Sequence, residues 1–317
     1  MEPMPTRTKL AQSLAHNRST LKSHHFFQLA ALSALWGASF LFIRMASPVL
    51  GPNVLAFLRI GLATLTLGLL LRLLRQRWPL AHWRELGVLG LLSVAVPFLL
   101  FAWAGLHLPS GYSALLNSTA VIFGLFSSAW LGEDRLTMRK LLGCASGFAG
   151  VGFIVGLGPV QLTTEVLLAA GACVLASACY GLSAPLMKRA ITRMEPIQIA
   201  AGLHALALLA LTPGAAWTWQ RAAFTPQALL AVAIMGIITS GLAYWLHLRI
   251  MVHVTPVAAM SPIFMIPVFG VLWGHLFLGE SLGAGLFVGA LMVLVASALI
   301  TGFNPWQTPL ETVDVTP

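Results

Sequence analysis

The sequence predicts an all-α integral membrane protein: ten transmembrane helices built as two inverted five-helix repeats. Three observations carry that prediction. Apolar residues make up 58% of the 317-residue chain and charged residues 9%, more apolar surface than a soluble domain of this length can keep from water. About ten stretches reach the roughly 20 mostly apolar residues that a membrane-spanning helix needs. Finally, the first half of the chain returns in the second. Ser33-Ala34-Leu35-Trp36-Gly37-Ala38-Ser39 recurs as Ser177-Ala178-Cys179-Tyr180-Gly181-Leu182-Ser183, 144 residues on. Arg44 pairs with Lys188 and Pro52 with Pro196 at the same offset. Gly90 pairs with Gly236, and Val121-Ile122-Phe123-Gly124 with Pro267-Val268-Phe269-Gly270, at 146; Leu131-Gly132-Glu133 pairs with Leu278-Gly279-Glu280 at 147.

Residues 1–25 form a polar N-terminal segment. The first repeat, 26–158, holds apolar spans at about 26–48, 52–72, 86–106, 110–131 and 139–158. The first of these follows a basic stretch, as a secretory signal would. It runs past 20 residues with no small-x-small cleavage site after it, so it reads as a retained helix. A linker, 159–165, leads to the second repeat, 166–303, with spans at about 166–187, 196–217, 227–249, 255–277 and 283–303. Residues 304–317 form a tail. Five crossings per copy is an odd number, so the second copy enters the membrane from the opposite side. Many secondary transporters use such inverted pairs to build two alternately open states.

A net charge of +9 would suggest a nucleic-acid surface in a soluble protein, but these charges sit at the membrane edges, and no nucleic-acid partner is expected. With the N-terminus inside, fifteen Lys and Arg fall on inner segments and only Arg221 on an outer loop. That positive-inside bias puts both termini in the cytoplasm. Trp78, Trp83, Trp217, Trp219 and Trp306 sit near span ends, as interfacial anchors do. Cys144, Cys173 and Cys179 lie within spans and imply no disulfide framework. Gly143-x-x-x-Gly147, Gly152-x-x-x-Gly156 and Gly285-x-x-x-Gly289 permit close helix approach, either inside the bundle or across a homodimer seam.

The chain is used up by spans and short loops, which leaves no room for a soluble catalytic domain, and no catalytic residue is assigned. The nearest match to an intramembrane serine protease is Ile238-Thr239-Ser240-Gly241 with His247 on the same helix, and it lacks the first glycine of that turn. No cluster of carboxylates stands in a span to hold a cation, so no metal and no cofactor is expected. Proton relay would have to use His204 or His247, or less centrally His275; facilitated or exchange transport stays open.

Polar groups inside spans usually face the bundle interior or a water-filled cavity. Arg59 is the costliest. It reads either as a cation that positions a substrate carboxylate or as a structural arginine capping carbonyls or snorkelling outward. Asn117-Ser118-Thr119 puts three polar residues in a row, of which at most two face one side. Trp36 and Tyr180 hold equivalent repeat positions, which makes a shared cavity wall plausible; Ser39 and Ser183 are paired in the same way, as packing serines. Pro97, Pro262 and Pro267 fall within spans, where a missing amide donor bends a helix.

These residues resemble the EamA-type transporters of the drug/metabolite transporter superfamily. The likeness rests on Leu35-Trp36-Gly37-Ala38-Ser39-Phe40, on Arg59, on Ala114-Leu115-Leu116-Asn117-Ser118-Thr119 running to Leu131-Gly132-Glu133, and on Pro267-Val268-Phe269 running to Leu278-Gly279-Glu280. It covers about residues 26–303. The resemblance implies a central cavity lined mainly by helices other than the fifth and tenth, and export of amino acids, related metabolites or toxic small molecules across a bacterial inner membrane without ATP hydrolysis. The family often has proline where this chain has Val121, the position matching Pro267, so half of a symmetric hinge is missing. The expected function is therefore alternating-access secondary transport of a small molecule within the lipid bilayer. An intramembrane enzyme and a channel-like protein are the rival classes. The candidate substrate contacts are Trp36, Arg59, Asn117, Thr119, Tyr180, His204, Tyr244 and His247, and the candidate gating positions are Val121, Pro262 and Pro267.

Overall fold

The computed structural model describes residues 23–108, 110–155, 163–278 and 285–301, and every regular element among them is helical. In chain order these are α1 (Ser23–Leu50), α2 (Pro52–Leu73), α3 (Leu80–Ala104), α4 (Ser110–Trp130), α5 (Met138–Val155), α6 (Thr164–Ile191), α7 (Pro196–Arg221), α8 (Pro226–Met251), α9 (Pro262–Leu278) and α10 (Gly285–Thr301). A single turn, Pro256–Ala259, precedes α9.

Helix boundaries follow local chemistry. Pro52, Pro196, Pro226 and Pro256 each open a helix, where a proline's missing amide hydrogen leaves no bond unmade. Thr225 and Thr255 accept bonds from the amides of Ala228 and Ala258 and so cap two of these starts. Gly132 sits at φ +75°; its amide bonds the Ala129 carbonyl and the Glu133 amide bonds the Ser128 carbonyl. This double closure over a left-handed glycine ends a helix, so the Leu-Gly-Glu motif is a stop signal. Its second copy, at Gly279-Glu280, lies outside the described residues, as do the termini and most of the linker.

Seven helices, α1–α4 and α6–α8, are long and apolar enough to cross a bilayer. α9 with its preceding turn and α10 are shorter apolar helices. α5 has 18 residues, about 27 Å of rise against a hydrocarbon core of about 30 Å. The expected ninth span is interrupted. Ser261, Ile263 and Phe264 are each bonded three residues back rather than four, and Pro262 stands at the first position of α9 instead of inside a span.

The packing interleaves the two copies. α1 lies against α8 and α9, and α6 against α3 and α4, while α2 packs on α7 and α5 on α10. Exchanging the copies maps this set of pairings onto itself. The repeated glycines mark where backbones touch. A β-carbon on Gly37 would sit 2.9 Å from the Ile266 carbonyl oxygen and 3.1 Å from the Gly270 amide, and one on Gly181 would meet Phe123 Cβ and sit 2.7 Å from the Gly124 amide. Likewise Gly90 abuts the Leu203 carbonyl of α7, and Gly236 the Arg59 carbonyl of α2. Gly143, Gly147 and Gly150 face Ile300, Phe264 and the Gly289 carbonyl, so this part of the glycine-spaced face serves internal packing.

The copies also run in opposite senses. The Ala223 amide, just ahead of α8, bonds the Val49 carbonyl near the end of α1. At the far end of α8, Lys188 near the end of α6 donates to the carbonyls of Met251 and Val254. α1 thus ends where α8 begins, and α6 ends where α8 ends. Around Lys188 the same end of the bundle holds ion pairs between Arg189 and Glu133 (2.7 Å) and between Arg193 and Glu85 (2.6 Å).

Gly181→Ala should destabilise the protein by about 1–3 kcal/mol, the range for overpacking a close contact. Gly152→Ala should change little, because an added carbon there meets nothing within 4 Å. Thermal unfolding of the detergent-solubilised variants, followed by tryptophan fluorescence, checks the difference.

Candidate functional site

The interleaved helices leave a cavity of about 150 Å³ between the copies. Helical spacing puts four α1 residues on its wall, Trp36, Ser39, Phe40 and Ile43, at i, i+3, i+4 and i+7. α6 supplies Tyr180, Ser183, Ala184 and Met187, the same four positions of the second copy. α3 and α8 repeat the relation: Ser93, Phe98 and Phe101 match Thr239, Tyr244 and His247 at an offset of 146. Asn117 of α4 matches Ile263 of α9 in the same way. Arg59 of α2 breaks the pattern, since its counterpart, Leu203, does not line the cavity. α5 and α10 contribute no lining residue among the described ones, as the resemblance implies.

Both α3 and α8 carry π-helical turns, Leu91–Ala95 and Ile234–Leu242, at equivalent positions. Such turns shift the i→i−4 ladder and occur at functional sites. Each holds a hydroxyl tied four residues back: Ser93 Oγ donates to the Leu89 carbonyl, and Thr239 Oγ1 to the Met235 carbonyl. The remaining bonds differ between the copies. Trp36 Nε1 donates to the Thr239 carbonyl (3.0 Å) and Ser39 Oγ to Thr239 Oγ1 (3.0 Å), while Tyr244 Oη donates to Ser93 Oγ (3.0 Å).

Arg59 is 7% exposed. Its Nε donates to Ser240 Oγ at 2.7 Å and its Nη2 reaches Thr239 Oγ1 at 3.4 Å. The Phe98 ring centre lies 4.1 Å from the guanidinium carbon, a favourable cation–π arrangement. The arginine therefore neither caps carbonyls nor snorkels outward. Ion pairs among the described residues involve Lys140, Arg189 and Arg193, not Arg59. A buried cation without a counter-ion is costly, and neutral hydroxyls and a ring face offset only part of that.

Of the eight sequence-derived candidates, Trp36, Arg59, Asn117, Tyr180, Tyr244 and His247 line this one cavity. Thr119 does not: its hydroxyl donates to the Leu116 carbonyl of its own helix. His204 is fully buried behind the wall, its ring edge-on to Tyr244 at 4.8 Å and its Nδ1 2.8 Å from the Ala200 carbonyl. Among the gating candidates, Val121, Pro262 and Pro267 are all buried, and Pro267 lies inside α9. Ser240, weighed as half of a protease pair, accepts from Arg59 instead. Sequence reading missed Thr239, Phe98 and Phe101. The repeat offset was the available signal, because Phe98 and Phe101 stand opposite Tyr244 and His247.

The chain matches the EamA-like transporter family twice, over residues 26–156 and 167–302. It is 26% identical over 287 residues, 86% of its own length and 90% of the relative's, to the uncharacterized transporter YvbV of Bacillus subtilis strain 168. It is 24% identical over 250 residues, 77% of its length and 82% of the relative's, to a Streptantibioticus cattleyicolor protein named "Probable terminal-alkyne amino-acid exporter". A solved structure described only as the crystal structure of a protein superposes with a TM-score of 0.68 at 17% identity, over 86% of this chain and 98% of that one, a likeness of fold.

Ser240→Ala should destabilise the protein by about 1–3 kcal/mol, since it strips a buried charge of its best acceptor. Ser183→Ala removes only a bond to the Tyr180 carbonyl of its own helix and should cost about 0.5 kcal/mol or less. Denaturation midpoints of the two variants against the parent check the contrast.

Proposed function

Because the chain belongs to the EamA-like transporter family, we propose that it is a secondary carrier that exports amino acids or related small metabolites by alternating access. In this reading it crosses a bacterial inner membrane ten times, with the Lys188 end of the bundle and both termini in the cytoplasm. The observation that carries the reading is Arg59, a guanidinium with no carboxylate partner among the described residues, set in a largely apolar cavity between two interleaved copies. A planar guanidinium binds a carboxylate through two parallel bonds. Phe98 and the Ser240 and Thr239 hydroxyls would fix its plane, the aromatic walls from Trp36 and Tyr180 would contact apolar parts of the substrate, and Asn117 would hydrogen-bond its polar parts. The relative named as an amino-acid exporter supports the substrate class at low identity.

Alternating access is supported by how the copies pack. α1 and α6 each lie against the other copy's third and fourth helices, so rocking one set would expose the cavity to one side and cover it from the other. Pro267 denies its helix one backbone bond inside α9. Val121, at the same place in α4, keeps its amide. Bending is thus expected to concentrate in α9.

In proteoliposomes of the purified protein, flux of carboxylated substrates should saturate and show competition. Arg59→Ala should reduce it about tenfold or more, the effect of losing a charged hydrogen bond, with a smaller loss of protein yield. Equal loss of both would make the arginine structural, and a linear flux would favour a channel. Val121→Pro should change how readily single-cysteine probes in the cavity are labelled from each side; unchanged labelling overturns the assignment of bending to α9.

A further inference from the structure

The charges around the cavity narrow the substrate class. Arg59 is the formal charge of the lining, and among the described residues no Asp or Glu lines it. The acidic residues of the described chain stand at or beyond helix ends: Glu85, Glu133, Asp134, Glu165 and Glu195. His247, the one other titratable nitrogen base on the wall, adds positive charge if it adds any. An empty cavity thus holds a positive charge in apolar surroundings. A bound monoanion brings the net charge of the site to zero. A zwitterionic amino acid leaves it positive and adds a second desolvated cation, for which the lining provides no counter-ion. Taking an unpaired charge out of water is the larger penalty.

A second observation concerns hydrogen bonding. Asn117 is 4% exposed and its Oδ1 is buried with no partner. Unpaired buried acceptors are rare and call for a donor. Asn117 lines the cavity, and a rotation of its amide would let Oδ1 accept from a neutral O–H or N–H on a ligand, without a second positive charge. Arg59 bonds the protein hydroxyls through Nε and Nη2, which leaves the Nη1 edge of the guanidinium for a carboxylate. An apolar cavity of about 150 Å³ has room for a single six-membered ring, and the aromatic side chains of Phe40, Phe98, Phe101 and Tyr180 line it.

We propose that the preferred ligand of this cavity is a small monocarboxylate with an apolar or aromatic body and one neutral donor, of the 2-hydroxy acid or N-acyl amino acid type, rather than a zwitterionic amino acid. This rests on the carboxylate role of Arg59 proposed above. Its carboxylate meets the free edge of Arg59 and its hydroxyl or amide hydrogen meets Asn117 Oδ1.

The test is a charge series of phenylalkyl compounds, measured by thermal shift and tryptophan fluorescence on the purified full chain, so that the central comparison needs no variant. The probes are 3-phenyllactate, 3-phenylpropionate, phenylalanine and phenethylamine. Phenyllactate is expected to bind about tenfold or more tightly than phenylalanine, phenylpropionate to fall between them, and phenethylamine not to bind. Asn117→Leu should erase the advantage of phenyllactate over phenylpropionate while leaving phenylpropionate bound. Phenylalanine binding as tightly as phenyllactate overturns the inference, and if that binding is lost in Arg59→Gln the carboxylate role stands without it. Tightest binding of phenethylamine overturns both. Absence of saturable binding by any of the four overturns the proposed ligand class.

Discussion

Neither five-helix copy has a core of its own. α1 leaves its own repeat to pack on α8 and α9, and α6 packs on α3 and α4, so each copy buries its faces only in the presence of the other. In a bilayer the hydrophobic effect gives helices little reason to associate, and close backbone approach has to supply the contact. That is why the motifs that recur along the chain are built around glycine. Gly37 and Gly181 let α1 and α6 ride against Gly270 and Gly124, and the adjoining faces, beginning at the neighbouring Trp36 and Tyr180, are thereby presented to a common cavity.

The same close approach positions the polar groups. Gly236 rests on the Arg59 carbonyl, which brings α2 against the π-helical part of α8 and sets the guanidinium beside Thr239 and Ser240. A π turn breaks the regular ladder, and the Thr239 carbonyl is taken up by the Trp36 indole. Backbone irregularity at membrane depth is tolerated where protein groups satisfy it. Trp36 therefore closes a backbone bond as well as forming a wall, and a tyrosine suffices at the equivalent position 180, where no indole donor is used.

Much of this was legible in the sequence, and for identifiable reasons. Apolar length gave the helices, proline and threonine gave their starts, and the offset of 144 to 147 gave the duplication. Six of the eight candidates line the cavity, since a polar or aromatic residue inside an apolar run is conspicuous. His204 and Thr119 do not line it, because conspicuousness does not fix direction: His204 turns its ring against Tyr244 from behind, and the Thr119 hydroxyl turns back on its own helix. Phe98 and Phe101 were missed for the opposite reason, since phenylalanine in an apolar span carries no local signal. The break at Met260-Ser261 was hidden as well, because hydropathy stays high across it while the hydrogen bonds shorten to three-residue steps.

The lining is close to symmetric in position and unsymmetric in chemistry. Tryptophan faces tyrosine, two phenylalanines face Tyr244 and His247, and Arg59 faces a leucine that does not reach the cavity. A symmetric scaffold is what two alternately open states require, because each state repeats the packing of the other with the copies exchanged. A substrate has no such symmetry, so the groups that recognise it must come from positions where the copies differ. Asn117 and Ile263 show how the two demands coexist. Pro267 cannot donate to the Ile263 carbonyl, whereas the Val121 amide leaves the backbone at Asn117 intact and the spare acceptor there is a side chain. Each copy thus has an acceptor outside the helix ladder at the same level, one fixed to the backbone of a proline-interrupted helix and one on a rotatable amide, and only the second can be changed without altering the helix that carries it.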